Sequence, residues 1–310
     1  MRRFGPLAAL IGVALVVAAG PSVVGSYGLT LGFSLFVWVA LAQAWNLVGG
    51  YGGQFSLGHA IFVGTGAYAV GVLLLHTRLP IAAALPLSGL AATLVAAVSA
   101  VPLLRLRSAA FSVGSLGVSL AGLSWMINWS YTGATSGLYL PSEAVLDDTT
   151  LYYLAAGVAL LTTICVALLV RSRFGLRLTA VRDDEDAAAE LGIDAFRVKL
   201  AAFTISAFFT GLAGGVLALQ KLSLEPYSAF SLYWTTNMIV MAVTGGLATL
   251  AGPVVGAVVI FGMQQLLLDV GTLSTLLTGL LLIVIVRVAP RGLSGALSGL
   301  RLTLKHGGPS

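Results

Sequence analysis

The stretch GGYGGQFSLGHA, Gly49 to Ala60, interrupts sequence that is otherwise apolar. An apolar run covers about 29–48 before it and another covers about 58–75 after it. Each is long enough as α-helix to cross the roughly 30 Å hydrocarbon core of a bilayer. Glycines, an amide, a hydroxyl and an imidazole therefore fall together where hydrocarbon is expected. Non-helical backbone at membrane depth is tolerated only where protein or a wet cavity surrounds it. The stretch thus reads as a broken or re-entrant segment between two membrane helices.

The rest of the chain agrees. Of 310 residues, 58% are hydrophobic and 9% charged, and the mean hydropathy is +1.00. A soluble domain of this size could not cover so much apolar surface. Spanning runs are expected at about 6–24, 29–48, 58–75, 81–104, 109–128, 151–170, 201–219, 232–250, 252–268 and 272–289. The runs are continuous rather than alternating, which argues for helices and against a β-barrel. The expected fold is all-α: a polytopic integral membrane protein of about ten transmembrane helices, with residues 1–310 forming a single transmembrane domain. Five spans on either side of the loop from Trp129 to Thr150 would run in opposite directions, the arrangement of an inverted five-helix repeat. The letters show no such repeat, because GGYGGQFSLGH and TGGLATLAGP do not fall between corresponding spans.

Basic residues set the orientation, since Lys and Arg are retained on the cytoplasmic side. With both termini cytoplasmic, Arg2, Arg3, Arg105, Arg107, Arg171, Arg173, Arg177, Arg182, Arg197, Lys199, Arg291, Arg301 and Lys305 lie inside, and only Arg78 and Lys221 lie outside. Arg287 falls near an inner helix end, and the outer Trp129–Thr150 loop carries Glu143, Asp147 and Asp148 but no base. Met1-Arg2-Arg3 before an apolar run ending at Ala18-Ala19-Gly20 also has the shape of a secretory signal. The length of the run favours a retained anchor. The single Cys165 excludes a disulfide within the chain and a cysteine metal cluster. The net charge of +5 follows from the cytoplasmic bias and calls for no nucleic-acid partner.

One long polar segment remains, RSRFGLRLTAVRDDEDAAAELGIDAFRVK, Arg171 to Lys199. Asp183 or Asp184 suits an N-cap, Glu185 and Asp186 suit the positive end of the helix dipole, and Ala187 to Ala189 are strong helix formers. Gly192 stands at the expected C′ stop. A helix of about two turns results, with Ala188 and Leu191 on one face, too short to be stable alone in water. It packs on its own membrane domain or docks on a partner. Phe196, Arg197 and Lys199, directly after it, favour the partner.

At these residues the chain resembles the M-type permease subunit of branched-chain amino acid ABC importers, the LivM family. RDDEDAAAELGIDAFRVKLAAFTISAFFTGLAGGVLAL is similar to that family's coupling loop and following helix. LAQAWNLVGGYGGQFSLGHAIFVGTGAYA, YTGATSGLYLP, MAVTGGLATLAGPVVGA and GLLLIVIVRVAPRGL resemble its early glycine-rich, outer-loop, late glycine-rich and C-terminal motifs, in the same order over roughly 40–310. Ala134 and Ala248 stand where the family commonly has Gly, and the final Leu-Pro of some other ABC coupling loops is absent.

The resemblance implies a non-enzymatic permease without cofactor, in the bacterial cytoplasmic (inner) membrane. It further implies partnership with separate ABC ATPase subunits, with a second, H-type permease in a heterodimer, and with an extracytoplasmic substrate-binding protein. Residues 171–200 would be the cytoplasmic coupling loop, with Asp183, Asp184, Glu185, Ala188, Glu190, Leu191 and Gly192 carrying the ATPase contact. The chain itself has no GxxxxGK[ST] phosphate loop and no polar segment large enough for a nucleotide domain.

Asn46, Gln54, Ser56 and His59 are candidate linings of a translocation path, because a lipid face would reject them. Close helix packing by the glycines is the competing reading. Asn237 and Thr244, beside Gly245 and Gly246, form a second candidate lining with the same alternative. An ion-coupled secondary transporter would carry buried carboxylates, whereas every Asp and Glu here lies in a loop or near a helix end. A passive small-solute channel fits the composition but has no need of the external helix. No His, Asp or Ser-Lys pairing at helical spacing suggests an intramembrane enzyme.

Overall fold

The computed structural model describes residues 20–21, 25–77, 79–106, 108–267, 279 and 292–293. The expected spans at 6–24 and 272–289 fall almost wholly outside these, as do the chain ends on which the placement of the termini rests.

Eleven α-helices are formed among the described residues. Those long and apolar enough to cross a bilayer number six. They begin with α1 (Ser26–Asn46), which continues as a π-helical turn over Leu47–Tyr51, and α2 (Ala60–Val72), continued likewise over Leu73–Thr77. α3 (Ile81–Leu103) and α4 (Ser108–Asn128) follow. α5 (Asp148–Arg171) is capped by the Asp147 carboxylate, which accepts from Thr150 N at 3.0 Å. Two short helices, α6 (Arg173–Asp183) and α7 (Glu185–Glu190), lead into the sixth long one, α8 (Ala195–Lys221). A four-residue turn, α9 (Pro226–Ala229), then precedes α10 (Leu232–Gly245) and α11 (Ala251–Leu266).

α8 is the axis of the bundle and packs on α1, α2, α3 and α5. Its sequence explains the position. Ala202, Ser206, Ala207, Thr210, Gly211, Ala213, Gly214 and Ala218 are all buried small residues, and small side chains let neighbouring backbones approach where lipid supplies no hydrophobic drive between helices. The outward faces of α3, α4 and α5 present Leu94, Val98, Val113, Leu120, Leu161 and Leu168. That face suits hydrocarbon and not water.

The connections sort the charges by end. The turns at 104–106 and 172–194 lie at one end, with Arg105, Arg171, Arg173, Arg177, Arg182, Arg197 and Lys199 in or beside them. At the other end β1 (Leu138–Tyr139) pairs antiparallel with β2 (Ser223–Leu224), Leu138 opposite Leu224. Tyr68 donates from its hydroxyl to the Leu224 carbonyl at 2.9 Å, which fastens the pair to α2.

The structure departs from the sequence reading in one region. In place of full spans at 232–250 and 252–268 it has helices of 14 and 16 residues. At 1.5 Å per residue these are roughly 21 and 24 Å long, short of a full crossing. They form a hairpin whose turn, Gly246 to Leu250, begins inside what reads as one apolar run. Gly245 and Gly256 sit where the two helices cross, each with no room for a side chain against the facing backbone. The turn itself carries Gly246 at φ 122° and Ala248 at φ 54°.

Candidate functional site

The two glycine-rich junctions, remote in sequence, meet. Asn46 at the end of α1 accepts from Ala248 N through Oδ1 and donates to the Thr249 carbonyl through Nδ2, both at 3.0 Å. One turn earlier, Gln43 donates from Nε2 to the Leu250 carbonyl at 2.7 Å. Two amides spaced i, i+3 on one helix face thus supply the partners that the turn between α10 and α11 cannot find within itself. Gly50 completes the contact, since a Cβ there would strike both the Asn46 Oδ1 and the Ala248 N. Gln43 Oε1 and the Thr244 hydroxyl are buried at the same junction and have no hydrogen-bond partner among the described residues.

Below the π-helical turn the chain leaves helical geometry until α2 begins at Ala60. Gly53 adopts φ 67° and faces the Arg182 stem from α6. His59, fully buried, bridges Ser56 Oγ at 2.9 Å and Ser206 Oγ at 3.0 Å. The tautomer follows from the neighbours. Ser206 donates its hydroxyl proton to the Ala44 carbonyl at 2.6 Å, so it can only accept from the ring, and Nε2 carries the hydrogen. Nδ1 then accepts from the Ser56 hydroxyl, whose oxygen takes the Gly58 N–H at 3.3 Å. Trp45 Nε1 adds a bond to the Ser56 carbonyl at 2.9 Å. The neutral imidazole ties α1, α8 and the broken segment into one unit.

The six candidate path residues are therefore placed differently from one another. Asn46 bonds to the α10–α11 turn, and Ser56 and His59 tie the broken segment to α1 and α8. Asn237 donates to the Tyr233 carbonyl at 2.9 Å and accepts from Gln264 Nε2 at 2.8 Å, joining α10 to α11. Thr244 is fully buried. Gln54 alone of the six lines one of the major cavities described, a cleft of about 620 Å³ between the broken segment, the start of α4, and α6–α7.

α6 and α7 form the far wall of this cleft. Ser172 caps α6 through Phe174 N at 3.1 Å, and Phe174, Leu178 and Val181 turn one side of the helix toward the bundle. The sequence reading left this helix unassigned, although the i, i+4, i+7 spacing of those residues and the Ser before them carried the signal. Asp184 caps α7, accepting from Asp186 N and Ala187 N at 3.0 Å each, and Gly192 ends it at φ 78°. Glu185 pairs with Lys199, a lysine buried on α8. Asp183 pairs with Arg182 at 2.8 Å, and Arg182 also reaches the Gly50 carbonyl at 3.5 Å. Ala188 is buried against Val198 and Ala202 of the bundle, while Leu191 is 79% exposed. The two do not share an exposed face as their spacing suggested. Glu190, Leu191 and Phe196 form the outward side of the segment.

A bundle with six apolar helices long enough to cross a bilayer, and with broken backbone lining a polar cleft at one end, defines a multi-pass membrane protein built around internal polar structure. The chain belongs to the family described as the permease component of branched-chain amino acid transport systems, whose model matches residues 36–286. Two curated relatives are similar over nearly the whole chain. The high-affinity branched-chain amino acid transport system permease protein LivM of Salmonella typhimurium is 26% identical over 92% of this chain and 74% of its own length. The protein of the same name from Escherichia coli is 26% identical over 96% of this chain and 77% of its own. No solved structure matches.

Proposed function

We propose that the chain is the membrane permease subunit of an ATP-binding-cassette importer and forms the translocation path for branched-chain amino acids or closely related small solutes. The observation that carries this reading is α7. It is an external helix of six residues, held to the bundle by Ala188 and by the Glu185–Lys199 pair, with Glu190 at its end, and Leu191 and Phe196 just beyond it, all exposed. A helix that short needs tertiary support to exist. Its anchoring makes it a rigid handle, so displacement of α7 moves α6 and α8 with it. ATPase subunits gripping this handle would rock the helices around the path. A second, H-type permease completes a heterodimer, and an extracytoplasmic binding protein delivers solute. The α6–α7 end is cytoplasmic in this reading, in accord with the clustering of arginines there.

The test uses the double variant Glu190→Arg with Leu191→Asp. Both residues are exposed, so insertion and expression are expected to match the unaltered protein. ATP-driven uptake of L-leucine by the assembled complex in proteoliposomes is expected to fall by about a hundredfold, the effect of losing about 2.8 kcal/mol of coupling contact. Unaltered uptake from a normally inserted double variant would remove α7 from the drive mechanism.

A further inference from the structure

We propose that the cleft beneath the broken segment is a solute-binding vestibule in which α7 itself forms one wall, so that the helix gripped by the ATPase also touches the solute. The inference rests on the permease reading above and adds where solute is held and by what.

The cleft is a built polar site. Gln54 is only 9% exposed, lines the cleft, and its side-chain amide has no protein partner among the described residues. That amide opens onto the cavity and keeps its donors and acceptor available there. Water or solute supplies the partners. Beside it the backbone of Gly52 and Gly53 is bare of side chains. Across the cleft stand the Asp184 carboxylate and the Lys199 ammonium with its Glu185 partner, so both signs of charge face the same space. Phe55, Leu106 and Phe111 close the remaining side with apolar surface. At about 620 Å³ the volume falls within the roughly 300–1,000 Å³ of small-molecule sites.

That lining selects a chemical class. A zwitterion with an apolar side chain finds a carboxylate for its ammonium, a lysine and an amide for its carboxylate, and an aromatic wall for its hydrocarbon. A purely apolar solute would leave the charges unmet, and an anion would face a majority of carboxylates. Asp184 and Glu185 then serve the vestibule, and the ATPase contact falls to Glu190, Leu191 and Phe196. Movement of α7 changes the vestibule directly, with no relay between drive and solute.

The experiment places a thiol in the cleft. Gln54→Cys in a Cys165→Ser background, assembled with its partner subunits in membranes, is reacted with a small water-soluble methanethiosulfonate. The thiol is expected to react, and saturating L-leucine to slow the reaction by about tenfold or more, while glycerol at equal concentration leaves it unchanged. Should Gln54→Cys fail to assemble, Ser112→Cys on the adjoining α4 wall reads the same space. An inert thiol at both positions, or a rate indifferent to leucine, overturns the vestibule. If leucine gives no protection while the unaltered complex still imports it with ATP, the vestibule fails and the importer reading stands. Protection without ATP-driven uptake upholds the vestibule and overturns the importer reading.

Discussion

Ala134 and Ala248 both hold left-handed backbone, at φ 49° and 54°. An L-residue in this region costs about 1–2 kcal/mol through the crowding of its Cβ, while glycine loses about 0.5–1 kcal/mol more backbone entropy on folding than alanine. The first term wins at a fixed turn. Ala134→Gly and Ala248→Gly are each expected to stabilise the protein by about 0.5–1 kcal/mol, additively because they sit at opposite ends of the bundle. The single Cys165 makes the measurement simple, since a thiol-reactive fluorophore reports its exposure as the detergent-solubilised protein is heated. Midpoints that fall or stay level would show that the surrounding contacts, and not backbone strain, govern these turns. The residue types of the site were legible in sequence, but the partners of most were not. Asn46 and Ala248 are 202 residues apart, and nothing in either motif announces the other.

At the scale of elements, the connection of α7 to α8 turns on an unequal ion pair. The Lys199 side chain is 9% exposed and that of Glu185 is 35% exposed. Removing the acid leaves a lysine that is only 9% exposed without its counter-ion, whereas removing the base leaves a carboxylate that solvent reaches more readily. Glu185→Gln is therefore expected to cost about 2–3 kcal/mol, below the about 3–5 kcal/mol of a fully buried pair, and Lys199→Met about 1 kcal/mol or less. The same thermal assay compares them, and equal losses would mean that the pair is hydrated on both sides. The long helices were readable because an apolar run of bilayer length leaves the backbone no other choice. The hairpin of α10 and α11 was not, because hydropathy reports only that a segment avoids water. Gly245, Gly246 and Gly252 suit a turn and a close helix crossing equally well, and only the packing partner decides which. α6 escaped for the opposite reason, its arginines masking the apolar spacing of Phe174, Leu178 and Val181.

For the whole molecule, the six long helices alternate in direction, so one experimental fact orients all of them. The end carrying 104–106 and α6–α7 gathers the arginines, while the end carrying β1, β2 and α9 has Lys221 as its one described base. An Arg or Lys held near a helix end biases that end to the cytoplasm, and acidic residues contribute little. Seven described bases against one leave no balance to tip, so reversal would require most of the loops to violate the rule together. The prediction is made with Cys165→Ser protein carrying one new thiol at Val145→Cys, at the β1 end, or at Asp186→Cys, beside the cleft. Both sites are exposed. An impermeant maleimide added to right-side-out vesicles is expected to label Val145→Cys and spare Asp186→Cys, and inside-out vesicles are expected to reverse the pattern. The opposite labelling would put the cleft on the side from which solute arrives. A cytoplasmic ATPase could then reach neither α7 nor the vestibule, and the drive mechanism proposed above would have to be abandoned together with the orientation.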